Sequence, residues 1–242
     1  MKRFLILTKA MTLMHLRNGY VLFWNFAFPV LLMIIYGAIM SQFMNYMTPG
    51  VIVLNALSFG LVSSSTMMLE MREKGVLRRL QATPLPAAQL IGSYLLVNIV
   101  IGVLQSTLII VAGVLLYKVP VSAMGLLVAY PMILFGLLAF MALGGVISGM
   151  SAKAGSATAI GMTIYFVLMF ISDMIFPLDM LPAWLQNVVP YLPAYPAAQL
   201  VRSAMLDASL DPQWFSQILL LAAYGIVATL IAAKLFRWEP KA

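Results

Sequence analysis

The sequence predicts an all-α membrane protein that crosses the bilayer six times. Of its 242 residues, 63% are hydrophobic and only 9% are charged, whereas a soluble domain is about one quarter charged. Apolar runs of about twenty residues recur along the chain. Such runs are long enough to cross ~30 Å of hydrocarbon as helices and too long for the alternating strands of a barrel.

Composition also excludes several kinds of site. The chain has no cysteine and a single histidine, His15, so we expect no disulfide, no metal site and no catalytic triad. The phosphate-binding motif G-x-x-x-x-G-K-[ST] is absent, so we expect no cofactor in this chain. The net charge of +7 comes from basic residues that flank apolar runs, which is typical of membrane topology and anionic lipid rather than nucleic acid.

The chain begins with a basic, partly apolar stretch over residues 1–19. Lys2 and Lys9 are seven residues apart and share a helical face, with apolar residues between them. This pattern predicts an amphipathic helix in the headgroup plane; a basic tail that only sets topology is the alternative. The apolar run that follows is too long for a signal peptide, so we expect an uncleaved first span.

The sequence is expected to form one transmembrane domain. The predicted spans are residues 20–41, 50–69, 90–117, 123–150, 158–176 and 214–236. Pro29 predicts a kink in span 1, and the uncharged residues 42–49 read as a short loop. The serines of span 2 favour close helix packing or a polar lining of a path. Gly145 and Gly149 form a G-x-x-x-G pair, which predicts a close helix contact in span 4.

Residues 177–213 separate spans 5 and 6 and contain six prolines. The segment is too apolar for a free loop and too broken for a span. We therefore expect one or two short re-entrant helices, buried against protein. For Asp173, just before this segment, we expect a carboxylate at the water interface or one hydrogen-bonded to the segment; a transport role is the alternative.

The distribution of basic residues predicts the orientation. If the chain crosses six times from a cytoplasmic N-terminus, the inner segments hold twelve of the fourteen basic residues, and only Lys118 and Arg202 lie outside. This bias favours two cytoplasmic termini. The expected location is the plasma membrane of a bacterium, as a multi-pass protein.

Residues 70–86, here called the island, are the charged segment between spans 2 and 3. Glu70 and Lys74 can pair one helical turn apart, and Thr83-Pro84 would end a helix over Glu70 to Leu80. The island's other charged residues are Arg72, Glu73, Arg78 and Arg79. A loop that only sets topology is the alternative. Because the chain lacks a phosphate-binding motif and acidic residues in the middle of most spans, we expect the energy for transport to arrive at the island.

With these features in this order, the whole chain resembles the permease subunit of ABC-2 type transporters. In that family a charged segment follows the second span and precedes a leucine and T-P, and a proline-rich segment precedes the last span. The matching residues here are Glu70, Arg72, Glu73, Lys74, Gly75, Leu80, Thr83 and Pro84, then Phe176, Pro177, Leu181, Pro182, Leu185, Pro193, Pro196 and Arg202.

The resemblance implies two permease copies, or this chain and a related one, together with two ATPase chains that bind ATP and Mg²⁺. The island would act as a coupling helix in a cleft of the ATPase. Polar contacts to the ATPase would come from Glu70, Glu73, Arg78 and Arg79, and the apolar anchor from Val76, Leu77 and Leu80.

The resemblance also places the substrate path between spans 1, 2 and 5. The residues there are Phe23, Asn25, Phe26, Asn55, Ser58, Tyr165, Phe166 and Phe170. Aromatic groups with few polar ones suit a hydrophobic or amphipathic cargo such as a drug, an antibiotic or a lipid-like molecule; ordinary helix packing or lipid contact is the alternative for each. We expect no enzymatic activity, since no nucleophile–base pair is evident. The alternative function is a self-contained secondary transporter or channel with a regulator-binding helix.

Overall fold

The structure is a computed structural model that describes residues 2–17, 19–81, 87–207 and 213–236. Within these residues every regular element is helical. The α-helices are α1 (Lys2–Arg17), α2 (Gly19–Met40), α3 (Met44–Ser58), α4 (Ser64–Glu73), α5 (Val76–Gln81), α6 (Ala87–Tyr117), α7 (Ala123–Met150), α8 (Ala154–Ile171), α9 (Ala183–Gln186), α10 (Ala194–Leu206) and α11 (Gln213–Leu235).

Five helical stretches of the described chain are long and apolar enough to cross a membrane. They are Asn25–Glu73, Gln89–Tyr117, Ala123–Met150, Ala154–Ile171 and Trp214–Leu235. The first has 49 residues and would measure ~74 Å if it were one straight helix, more than twice the ~30 Å hydrocarbon thickness.

The stretch Asn25–Glu73 instead folds back on itself. Met40 leaves the helical region of the backbone (φ −136°, ψ 49°), and a 3-10 turn at Ser41–Phe43 leads directly into α3. Met33 and Thr48, one on each side of this turn, both lie against Gly113 of α6. The expected loop over 42–49 is therefore wrong: residues 47–50 are buried, and α3 extends over them because their backbone lies within the protein.

A π-helical turn at Phe59–Ser63 joins α3 to α4. Two of its carbonyls press against glycines of neighbouring helices. A Cβ added to Gly144 of α7 would lie 2.0 Å from the carbonyl oxygen of Gly60, and one added to Gly161 of α8 would lie 2.8 Å from that of Leu61. Only glycine permits this approach, so the turn is held between α7 and α8.

The G-x-x-x-G pair of span 4 packs α7 against α11. A Cβ added to Gly145 would lie 3.1 Å from the Cβ of Ala232, and one added to Gly149 would lie 2.6 Å from that of Leu235. The predicted close helix contact is confirmed. Pro29 lies inside α2, which continues through it to Met40.

The proline-rich segment forms four short helices between Leu178 and Leu206, where one or two were expected. Pro177, Pro182 and Pro193 each directly precede one of them, and Pro196 lies in the first turn of α10. A residue at the start of a helix needs no backbone donor, so proline begins helices here rather than breaking them. One face of α10 is buried, and α10 packs against α3, α7 and α11.

The N-terminal helix α1 packs against α6. Met11 and His15 are buried, whereas Leu5, Leu13 and Lys9 are exposed. An exposed face of apolar and basic residues is typical of a helix at a membrane surface.

Candidate coupling site and transport path

The island contains a sharp turn between two helices. α4 ends at Glu73, Gly75 has the left-handed φ of +67°, and α5 begins at Val76. Glycine adopts this conformation without steric cost, and the Arg79 guanidinium donates a hydrogen bond of 2.9 Å to the Lys74 carbonyl at the turn. The single helix expected over Glu70 to Leu80 is therefore wrong.

Leu80 lies within α5. Thr83 and Pro84, which were expected to end the island's helix, lie outside the described residues.

Two charged residues of α4 attach the island to the turn between α7 and α8. Arg72, which is only 2% exposed, donates from Nη1 to the Ser148 carbonyl 3.3 Å away, near the end of α7. Glu73 Oε1 accepts a 2.8 Å hydrogen bond from the backbone N–H of Ala154, the first residue of α8. A cation at a helix C-terminus and an anion at an N-terminus both interact favourably with the helix dipole.

Two apolar residues of the island, Val76 and Leu77, pack against the core of the chain itself. Leu77 is completely buried, and Val76 is partly buried against the same core. Leu77 is thus unavailable to a partner, which corrects the expectation that it anchors the ATPase. Lys74 is exposed and lies 2.7 Å from Glu70, an exposed pair worth at most a few tenths of a kcal/mol.

The island's exposed surface is mainly basic. Arg78 and Arg79 are exposed on α5, beside Lys74 at the turn. A partner with an acidic surface would match this part of the chain.

Four of the expected path residues surround one small cavity of about 40 Å³: Asn25, Asn55, Ser58 and Tyr165. Phe28, which the sequence analysis did not select, also lines it.

The other four expected path residues lie elsewhere. Phe23, Phe166 and Phe170 are 56%, 51% and 53% exposed, and Phe26 is partly buried without lining the cavity. The structure therefore brings together the polar members of the set and Tyr165, while most of the aromatic ones face outward.

Gln105 of α6 organises this polar group and was missed as a site residue. Its Nε2 donates to the Asn25 carbonyl at 3.1 Å, and its Oε1 accepts from Asn55 Nδ2 at 3.2 Å. The sequence did contain a signal for Gln105. It lies seven residues after Asn98, so the two amide side chains share one face of an apolar span. Asn98, however, donates to the carbonyl of Tyr94 in its own helix.

A larger cavity of about 530 Å³ lies at the island end, between α1, α2, α4 and α8. Its wall includes His15, Arg17, Glu70, Lys74 and Thr158. Burial lowers the pKa of His15 below its ordinary value, which favours the neutral ring. The cavity combines basic and hydroxyl groups with apolar ones, as an amphipathic ligand requires.

Asp173 forms a buried cluster at the opposite end of α8. It is 3% exposed and has a φ of +59°. Its carboxylate accepts hydrogen bonds from Leu178 N (2.7 Å), Gln199 Nε2 (2.6 Å) and Arg202 Nη1 (2.9 Å), and from the Tyr46 hydroxyl. The Arg202 guanidinium also lies 3.7 Å above the ring of Tyr46. Asp173 is thus hydrogen-bonded to the proline-rich segment, as expected.

Comparison with known proteins identifies the family. The sequence profile of the family described as ABC-2 type transporter matches residues 2–206. The chain belongs to the ABC-2 type transporter family.

The chain is 27% identical to the putative transport permease YvfS of Bacillus subtilis (strain 168) over 235 residues, which cover 90% of each protein. It is 25% identical to the probable multidrug ABC transporter permease YbhR of Escherichia coli (strain K12) over 158 residues, covering 64% of this chain and 42% of YbhR. It is 26% identical to ABC transporter G family member 20 of Dictyostelium discoideum over 174 residues, covering 71% of this chain and 23% of that protein.

The ABC-2 match contains the island, both cavities beside α2 and the Asp173 cluster. Together with the apolar helices, it identifies the chain as a multi-pass membrane permease component of an ABC transporter. Membership of this family implies an ATPase partner, and ABC-2 permeases are transport proteins rather than enzymes.

Proposed function

We propose that this chain is the permease subunit of an ATP-driven exporter that moves a hydrophobic or amphipathic small molecule out of the cell. The observation that carries the proposal is the attachment of the island to both α7 and α8 through Arg72 and Glu73. α8 in turn contributes Tyr165 to one cavity and Thr158 to the other. The name of YbhR, a probable multidrug permease, supports a drug-like cargo.

The proposed topology has six crossings. The stretch Asn25–Glu73 turns back at Ser41–Phe43 and therefore counts as two, which adds one to the five candidate stretches. The excess of basic residues in the inner segments supports a cytoplasmic position for both termini and the island, in a bacterial plasma membrane. The segment that contains α9 and α10 then lies on the outer side as a re-entrant unit.

In the proposed mechanism, the basic surface of α5 docks on the ATPase. The assembly contains two ATPase chains, which bind ATP and Mg²⁺, and two permease chains. When the ATPases close, the island moves. Arg72 and Glu73 pass this movement to the α7–α8 turn, in addition to the direct path along α4. The exposed Phe166 and Phe170 of α8 are available to the second permease chain or to lipid.

Docking is tested by charge reversal on the exposed surface of α5. We expect Arg78→Glu to reduce co-purification of the ATPase at least tenfold, because the acidic partner surface would then face a carboxylate. Lys118→Glu, a change of another exposed basic residue directly after α6, should have no effect. Normal co-purification of the Arg78→Glu variant would show that α5 does not dock.

Transmission is tested separately from docking by Glu73→Gln. This variant keeps the side-chain shape and removes the charge at the start of α8, so we expect normal ATPase binding with at least threefold lower transport per ATP hydrolysed. Asp179→Asn, which changes an exposed carboxylate of the proline-rich segment, is the matched control. Equal coupling ratios in both variants and the wild type would refute the role of Glu73.

A transport assay without the ATPase distinguishes this proposal from the alternative of a self-contained transporter or channel. Vesicles that contain the permease without the ATPase should show no transport of a fluorescent lipophilic probe above protein-free vesicles. Transport in these vesicles would refute the ATP-driven proposal.

A further inference from the structure

A cleft of about 320 Å³ lies between α4, α6, α7 and α11, separate from the two cavities beside α2. Its wall is mainly apolar. Prominent lining residues are Ile91 and Leu95 of α6, Leu138 and Met141 of α7, and Ala233 and Phe236 near the end of α11. We propose that this cleft binds one acyl chain of an anionic phospholipid, with the lipid headgroup beside Lys234.

The dimensions of the cleft fit an acyl chain in one leaflet. Along α7, its lining extends from Leu138 to Ser148, which corresponds to ~15 Å at the rise of an α-helix. This length is half of the ~30 Å hydrocarbon thickness. The cleft lies at the island end of the helices, so the lipid belongs to the leaflet on that side.

The polar groups in the wall favour a hydrocarbon occupant. Among the described residues that line the cleft, the hydroxyls of Ser64, Tyr94, Ser148 and Thr229 all donate to backbone carbonyls, at distances between 2.5 and 2.9 Å. These bonds are made within the protein and satisfy the donors. A ligand that relies on hydrogen bonds from the wall would therefore have to break them, whereas an acyl chain needs none.

The charge of Lys234, near the island end of α11, favours an anionic headgroup. Lys234 is exposed and adjoins the lining residue Ala233. Of the described acidic residues at this end, Glu70 pairs with Lys74 in the wall of another cavity, and Glu73 binds the start of α8. A lysine near a membrane surface attracts anionic lipid headgroups.

Retention of lipid by the purified full-length chain tests this site. The chain is equilibrated in micelles with equal amounts of dioleoyl-phosphatidylglycerol and dioleoyl-phosphatidylethanolamine, and native mass spectrometry counts the bound lipid. We expect one phosphatidylglycerol per wild-type chain to survive collisional activation. Ala233→Trp fills the cleft and should lower this occupancy at least fivefold, whereas Ala223→Trp, an exposed position of the same helix outside the cleft, should leave it unchanged.

The headgroup is tested with Lys234→Gln, which should retain a lipid but lower the preference for phosphatidylglycerol about fivefold. Should Ala233→Trp fail to fold, Ala142→Leu in the α7 wall replaces it, with the exposed Ala123→Leu as its control. The proposed site would be overturned if Ala233→Trp or Ala142→Leu retained as much lipid as the wild type. It would also be overturned if the control variants lost as much lipid as these two. Equal retention of both lipids by the wild type would overturn the anionic headgroup. Neither result depends on the direction or energy source of transport.

Discussion

Asp173→Asn tests whether the charge of Asp173 stabilises the buried cluster around it. The substitution keeps the size of the side chain, and asparagine tolerates the left-handed φ of 59° at this position. It removes the negative charge and replaces one acceptor oxygen with an NH₂ group. That group would face donors, since Gln199, Arg202 and the backbone N–H of Leu178 all donate to the carboxylate.

The expected cost follows from the burial of both partners. The side chains of Arg202 and Asp173 are only 11% and 3% exposed, so the variant leaves a guanidinium buried without its counter-charge. Removing one member of a buried pair costs about 3–5 kcal/mol. For a chain of 150–250 residues, each kcal/mol shifts the Tm by about 2–4 °C, so we expect a decrease of about 6–20 °C.

Thermal unfolding of the detergent-purified chain, followed by tryptophan fluorescence, measures this decrease. Asp179→Asn changes an exposed carboxylate six residues later and should stay within about 0.5 kcal/mol of the wild type. The Asp173→Asn/Arg202→Met double variant should be more stable than the sum of the single effects, because it leaves no buried charge unpaired. Strict additivity, or a Tm of Asp173→Asn within 2 °C of the wild type, would refute the reasoning.

Three further predictions concern the island, α1 and the polar path. Gly75→Ala should destabilise the chain by about 1–2 kcal/mol, because the positive φ disfavours a Cβ, while Gly155→Ala, where a Cβ meets nothing within 4 Å, should be neutral in the same thermal assay. Since burial lowers the pKa of His15 from 6.5, the folded chain binds fewer protons than the unfolded one, and α1 should loosen as the pH falls below about 6.5. Amide exchange in α1, corrected for intrinsic rates, should therefore rise from pH 7.5 to 5.5, and His15→Gln should abolish the pH dependence. Gln105→Leu removes the acceptor of Asn55 and should cost about 1–3 kcal/mol; a Tm equal to the wild type would contradict the bridging role of Gln105.

Local signals predicted some helix ends and not others. The bounds expected for span 4, 123–150, coincide with those of α7. Ser122 caps the start of α7 by accepting a hydrogen bond from the Gly125 N–H at 2.9 Å. Span 5 was expected over 158–176, yet α8 is Ala154–Ile171. Its start is capped locally by the Ser156 hydroxyl, which accepts from the Lys153 N–H at 3.3 Å, and also by Glu73, 81 residues away in the sequence. No local pattern encodes the contact with Glu73.

For the island and the path residues too, the sequence predicted some features and missed others. The island's position and charge were evident from composition. The role of Leu77 was not, because the turn at Gly75 separates α5 from α4 and changes which face of α5 meets the core. Asn25 and Asn55 were expected near each other from the family resemblance alone, but the residue that joins them, Gln105, belongs to a third helix. Partners that converge from distant parts of the chain depend on the tertiary packing.

The contacts along α8 have a mechanical consequence. This helix, together with the residues that directly follow it, runs antiparallel to the α3–α4 stretch and contacts it at four levels. The pairs, from the island outward, are Glu73–Ala154, Thr66–Thr158, Leu61–Gly161 and Tyr46–Asp173. Because contacts join the two helices at both ends and in the middle, sliding of one helix along the other would break these contacts. The two helices therefore behave as one rigid unit. Under the proposed mechanism, a movement of the island would therefore tilt both helices together, and the Asp173 cluster at their other end would move with them.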